Sequence, residues 1–147
     1  MALEDIEYLD HMTDAYLRVK ANTLKEAFEL AGKGLVNTMY DIHQIEAKTR
    51  ICIIAEGKDL ENLLFDWLDK ILLLMLIDRL VLSEYEIKII YDDQNCRFEI
   101  KGYGDGEEID ALKHELKVEI KGITYHEMKI LEDVIHNQII VEFIVDL

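Results

Sequence analysis

Proline is missing altogether from the 147 residues, and no Gly/Ser-rich linker, internal repeat or long block of like charge takes its place as a divider. Nothing splits the chain, so it reads as a single domain over residues 1–147, a length that buries about two-thirds of its unfolded surface. Cysteine is almost as scarce. Cys52 and Cys96 lack CxxC spacing; Cys52 sits in the apolar run ICII and Cys96 opens CRFEIKG, so both are expected to be buried, reduced thiols in a reducing compartment. The longest apolar run, ILLLMLI at 71–77, is far shorter than the roughly 20 residues a membrane helix needs. The first ten residues, MALEDIEYLD, lack the basic and then apolar blocks of a signal peptide. A soluble, cytoplasmic protein is the expectation.

Catalytic templates are missing too. There is no GxSxG, no HExxH, no Cys/His zinc spacing and no Gly-rich phosphate loop. The one dense glycine cluster, KGYGDGEE at 101–108, leads to no helix and is expected to be a loop. No catalytic or cofactor-binding residue is assigned.

Basic residues are the next shortage: 16 Lys and Arg stand against 31 Asp and Glu, for a formal net charge of −15. Such a surface repels phosphate backbones, so direct nucleic-acid binding is not expected. It suits a cation or a basic protein partner. High negative charge also simply keeps proteins soluble.

What is present is clear periodicity. A first helix opens at Thr23, whose hydroxyl caps it while Glu26 can reach back to the cap. Leu24, Ala27, Phe28, Ala31, Leu35 and Met39 share one face, and Gly32 and Gly34 leave room for another backbone. A second helix starts after Asp59, a good N-cap, with Leu60, Leu63, Leu64, Trp67, Leu68, Ile71, Leu72 and Met75 as its stripe. Leu73, Leu74 and Leu76 extend that stripe nearly all round, which predicts burial on several sides. Elsewhere the period is two. Half-buried strands are predicted at 15–20, 49–56, 85–91, from Cys96 to Lys101, and across Leu116, Val118 and Ile120. DDQN at 92–95 reads as a turn. QIIVEFIVDL is apolar on both faces and reads as a central strand. The class is therefore α+β: two helices packed on antiparallel β-sheet, in two layers, with a central C-terminal strand.

Five histidines occur. His114 and His126 lie twelve residues apart on one extended stretch, about 40 Å if it ran straight, so they could share a metal only with a turn between them. Hydrogen bonding at strand ends is their expected work. The carboxylates say more. LDHMTDAYLR gathers Asp10, His11 and Asp14 before a strand, and EFIVDL carries Asp146 to the residue before Leu147. If those two strands are neighbours, Asp14, Asp146 and the carboxylate of Leu147 converge as hard oxygen ligands for Ca²⁺, Mg²⁺ or Mn²⁺, and are unsuited to zinc.

These residues resemble the archease family. YLDHMTDAYLR followed by TLKEAFELAGKGLVNTMYD resembles its opening; DLENLLFDWLDKILLLM its second helix; HELKVEIKGITYHEMKI its most distinctive segment; and the final Val-Asp-Leu its end. The resemblance spans essentially the whole chain. One departure is Met12, since the family usually reads His-Thr-Ala-Asp where this chain has His11, Met12, Thr13 and Asp14. The resemblance implies an activator rather than an enzyme. Its partner would be the tRNA-splicing RNA ligase, whose GTP- and metal-dependent guanylylation and multiple turnover it promotes. It implies a divalent metal at Asp14, Asp146 and Leu147, with calcium expected in a structure and Mg²⁺ or Mn²⁺ open for function. His11, Lys117, Lys121 and His126 are secondary candidates for contact or orientation. The alternatives are an acidic scaffold or chaperone of an RNA-processing complex without a metal role, and a stand-alone metal-dependent phosphohydrolase.

Overall fold

The computed structural model describes residues 3–9 and 13–147; Asp10 and His11 of the first motif lie outside the described residues. Strands β1 (Ile6–Leu9) and β2 (Asp14–Ala21) lead to helix α1 (Leu24–Met39). Strand β3 (Thr49–Gly57) leads to helix α2 (Leu60–Leu76). A run of strands follows: β4 (Leu80–Asp92), β5 (Arg97–Glu108), β6 (Gly122–Asp133) and β7 (Gln138–Asp146). The strands form two antiparallel sheets, ordered β1-β2-β7-β6 and β3-β5-β4. The fold is thus α+β, with its antiparallel strands divided between two sheets, and β7 is central as its two apolar faces require.

Both helices start where local chemistry dictates. Thr23 Oγ1 accepts from the Glu26 N–H at 3.3 Å, and Asp59 Oδ1 accepts from the Asn62 N–H at 2.7 Å. Each cap satisfies a donor with no partner inside the helix, a contribution of about 1 kcal/mol. Each helix touches both sheets, α1 through β2 and β4 and α2 through β3 and β6. One apolar cluster therefore joins all the layers, with Phe28, Trp67, Leu17, Ile87, Ile100 and Phe143 among its members. Complete burial of side chains of this size stabilises by roughly 1.5–3 kcal/mol each. Trp67 keeps its donor satisfied by giving Nε1–H to the Phe28 carbonyl at 2.8 Å.

Several expectations are corrected. KGYGDGEE is the second half of β5, not a loop: Gly102, Gly104 and Gly106 pair with Ile87, Tyr85 and Leu82. They face inward, and a Cβ on Gly106 would run into the Val81 carbonyl. Gly102 and Gly106 mark a close approach of backbone to backbone, and Gly104 makes room for the Leu82 and Tyr85 side chains. Conversely, Leu116–Ile120 is no strand. That segment is tied by single bonds, Lys117 N–H to Met39 C=O and Lys121 N–H to Asp146 C=O, both 2.7 Å. Its alternation records Ile120 plugging the core while Leu116 stays exposed.

Cys52 and Cys96 are exposed free thiols rather than buried ones. Cys52 occupies the outward face of β3, and Cys96 sits in the β4–β5 turn at φ 52°, where the backbone holds its side chain away from the core. Leu73 and Leu76 are exposed at the end of α2, because the buried face of the helix is the stripe of Leu63, Leu64, Trp67, Leu68, Ile71, Leu72 and Met75. Gly32 and Gly34 admit side chains rather than a backbone: a Cβ there would meet Ile71 Cδ1 at 2.9 Å and Leu17 Cδ2 at 3.0 Å, respectively.

Candidate functional site

Asp14 opens β2 and Asp146 closes β7. In the antiparallel register they are direct Cα partners, and Gly122, the first residue of β6, pairs with Asp146 from its other side. Directly opposed residues project to the same face, with Cβ atoms about 4.5–5.5 Å apart. One rung of the four-stranded sheet thus reads Asp14, Asp146, Gly122. A Cβ on Gly122 would meet nothing within 4 Å, so the rung is open on that side.

The backbone around the rung is held firmly. Leu147 N–H donates to the Thr13 carbonyl at 3.2 Å, and Lys121 N–H to the Asp146 carbonyl at 2.7 Å. The Leu147 side chain packs against the core. These contacts hold Leu147 beside the residue that precedes Asp14. Asp146 is exposed and Asp14 half-buried, so a small ligand reaches the first without unfolding anything.

The donor set is all oxygen, which fits a hard divalent cation and not zinc. Two opposed side-chain carboxylates, with Leu147 held nearby, would hold such an ion, and open positions would remain for water or phosphate. Among the described residues no group of three or more His, Cys, Asp or Glu side chains is arranged to hold a metal. The register brings two carboxylates together, and any further oxygens for a cation would have to come from the main chain or from outside.

Along the same face the chemistry changes within two residues. Tyr16 Oη donates to Glu142 Oε2 at 2.6 Å and Arg18 Nε to Glu142 Oε1 at 2.9 Å, while Arg18 Nη1 bridges to Glu7 at 3.1 Å. Burial raises the Glu142 carboxyl, but the bonds from Tyr16 and Arg18 outweigh it and hold the group below the usual carboxylate range. The bond to Glu142, with burial, pushes Tyr16 up to about 12. Glu142 is therefore a neutralised structural carboxylate, and Asp146 forms no ion pair among the described residues.

The secondary candidates scatter. Lys121 adjoins the rung through its backbone, whereas Lys117 is carried on the loose segment near the end of α1. His126 lies in a bulge of β6, where the register with β7 shifts between Thr124 and Lys129, and its N–H donates to Thr124 Oγ1 at 3.0 Å. The adjoining Tyr125 ring stacks on Phe65 at 4.2 Å. His114 is buried in a turn, where Nδ1 accepts from the Asp110 N–H and Nε2 meets Glu107. His11 lies outside the described residues. Gly122 escaped the sequence reading, because only the strand register reveals that it borders Asp146.

The archease protein family (MTH1598/TM1083) matches residues 6–147. Similar relatives include protein archease of Pyrococcus furiosus, 39% identical over 84% of this chain and 86% of that one. Protein archease of Methanopyrus kandleri is 33% identical over 96% of this chain and 98% of its own. The solution structure of Methanobacterium thermoautotrophicum protein 1598 superposes with a TM-score of 0.80 at 29% identity, covering 98% of this chain and 99% of that one.

Proposed function

The chain belongs to the archease family, and from that premise we propose that it is an activator of the tRNA-splicing RNA ligase rather than an enzyme in its own right. It promotes the ligase's GTP- and metal-dependent guanylylation and so sustains multiple turnovers in tRNA ligation. The observation that carries the reading is the Asp14–Asp146 rung, in register at the end of the sheet and bordered by an open Gly122. The net charge of −15 supports docking to a basic RNA-binding enzyme, since complementary charge steers encounter and selects partners.

In this reading Asp14, Asp146 and the Leu147 carboxylate hold a divalent cation, and the tip presents it at the mouth of the ligase's active site in the cytoplasm. When bound, the cation supplies a positive charge that neutralises GTP phosphates, an effect worth several kcal/mol without proton transfer. The chain's own residues do the positioning. The Leu147–Thr13 and Lys121–Asp146 backbone bonds fix the strand ends that carry Asp14 and Asp146. Gly122 leaves the approach clear.

The test compares ligase guanylylation and multiple-turnover RNA joining with no added protein, with wild type, and with Asp146→Asn. Stimulation by wild type and its loss in the variant is the expected result. Equal stimulation by both keeps the activator and removes the cation role at Asp146. Absence of stimulation by a folded wild type with a matched ligase overturns the activator reading.

A further inference from the structure

One patch on the outward face of the β3-β5-β4 sheet reverses the charge of the rest of the chain. Register places Lys101 directly opposite Lys88, with Ile54 on its other side, and the next row reads Cys52, Tyr103, Glu86. A concavity of about 710 Å³ covers these rows, and Lys25 and Arg50 complete its cationic lining. Four cations and one carboxylate line it, in a chain whose net charge is −15.

The two central lysines carry the argument. Like charges directly opposite on neighbouring strands destabilise a sheet. Lys101 reaches only Glu99, at 3.7 Å, and Lys88 makes no ion pair among the described residues. Arg50, in contrast, is fixed: it grips Asp105 through Nε and Nη2 at 2.9 and 3.2 Å, and its guanidinium lies 5.1 Å from the Tyr103 ring centroid. Tyr103 is 45% exposed. An aromatic ring and a guanidinium plane are the two surfaces on which nucleobases stack. Tyr103 and Lys101 are two residues apart on one strand, about 7 Å, the reach of one sugar unit. Glu86, facing Tyr103 from β4, is an acceptor for ribose hydroxyls or an exocyclic amine.

We infer that this sheet face binds one nucleoside di- or triphosphate, with phosphates between Lys88 and Lys101 and the base on the Tyr103–Arg50 surface. The concavity is of small-ligand size. A continuous nucleic-acid strand fits poorly. Glu56 pairs with Glu99 on one flank and Glu84 with Asp105 on the other, and these carboxylates already engage Arg97, Lys33 and Arg50, the cations that the next phosphates along a chain would need. The inference is independent of any cation at Asp14 and Asp146.

Calorimetric titration of the full chain with ATP and with GTP, in the presence of a chelator, tests it. Saturable binding is expected with a dissociation constant at or below about 1 mM, weakened about tenfold or more in Lys88→Gln/Lys101→Gln. Tyr103→Ala should weaken nucleotide but leave inorganic tripolyphosphate unchanged. Removing a like-charge pair should leave the thermal midpoint of the double variant at or above wild type. Lys88→Gln alone provides the same comparison should the double variant not fold. Asp146→Asn should bind nucleotide as wild type does, which separates this site from the acidic rung. No saturable binding, or equal affinity in the lysine variants, overturns the site. Tripolyphosphate binding as tightly as nucleotide overturns base recognition, and a ten-nucleotide RNA binding more than about tenfold tighter than ATP or GTP overturns the mononucleotide in favour of a strand.

Discussion

His114 Nε2 lies 3.2 Å from Glu107 Oε2, and both side chains are buried. Because His114 Nδ1 accepts from the Asp110 N–H at 2.9 Å, the ring proton sits on Nε2 and the histidine donates it to Glu107 as a neutral ring. Glu107 also accepts from the Glu46 N–H at 2.6 Å and from Lys113 Nζ at 2.9 Å. One buried carboxylate thereby ties the end of β5 to the turn at 110–114 and to the segment preceding β3. That clamp starts the loose stretch which ends at Lys121 and the Asp146 rung.

Removing the imidazole should therefore cost more than an ordinary surface change. His114→Ala takes one donor from a buried carboxylate and leaves a cavity, which together cost about 2–3 kcal/mol. Urea unfolding should show a midpoint shift of that size. A shift under about 0.5 kcal/mol, the range of ordinary surface substitutions, would mean the clamp is incidental.

The same carboxylate predicts how stability responds to acid. Burial raises Glu107, but the Glu46 N–H, Lys113 and His114 outweigh it and bring the group from 4.5 down to about 2. A group depressed in the folded state binds its proton more tightly when unfolded, so stability rises with pH across this interval. Its contribution is complete above 4.5 and is lost as pH falls towards 2. Urea midpoints between pH 6 and pH 2 should fall less steeply for Glu107→Gln than for wild type. Parallel curves for the two proteins would contradict the assignment.

Two glycines should behave oppositely. Gly106→Ala would drive a methyl into the Val81 carbonyl, and backbone cannot retreat as a flexible side chain can. A loss of about 3 kcal/mol or more is expected, seen as a lower thermal midpoint. Gly122→Ala meets open space and should leave the midpoint within about 0.5 kcal/mol of wild type.

The glycines also show where sequence reading stopped. Capped helices and two-fold alternation were legible in Thr23, Asp59 and the Tyr85–Tyr91 stretch, because those signals are local. KGYGDGEE was not. Its glycines answer to the backbone at Val81, Leu82 and Ile87 and to the side chains of Leu82 and Tyr85 on another strand, and nothing within the octapeptide says so. Leu116–Ile120 failed for the opposite reason: it alternates like a strand, yet its backbone bonds go to a helix end and to a single strand residue. Asp14 and Asp146 could be suspected from two strand ends. Their direct opposition, and the opening at Gly122, belong to the register between β2, β7 and β6.

That register makes the last prediction sharp. Asp14→Asn and Asp146→Asn each keep side-chain shape and remove one charge from a rung whose backbone is pinned by the Leu147–Thr13 and Lys121–Asp146 bonds. Neither variant should lower the thermal midpoint of the metal-free protein by more than about 1 kcal/mol in equivalent stability. Each should weaken Ca²⁺ or Mn²⁺ by about tenfold or more, because a hard cation depends on ligand charge count. If both carboxylates serve one ion, the double variant should lose less than the two single losses added together, since residues sharing a partner are coupled. Strict additivity, measured by calorimetry under the same salt, would mean that the two aspartates act on separate ions and that the rung is not a single site.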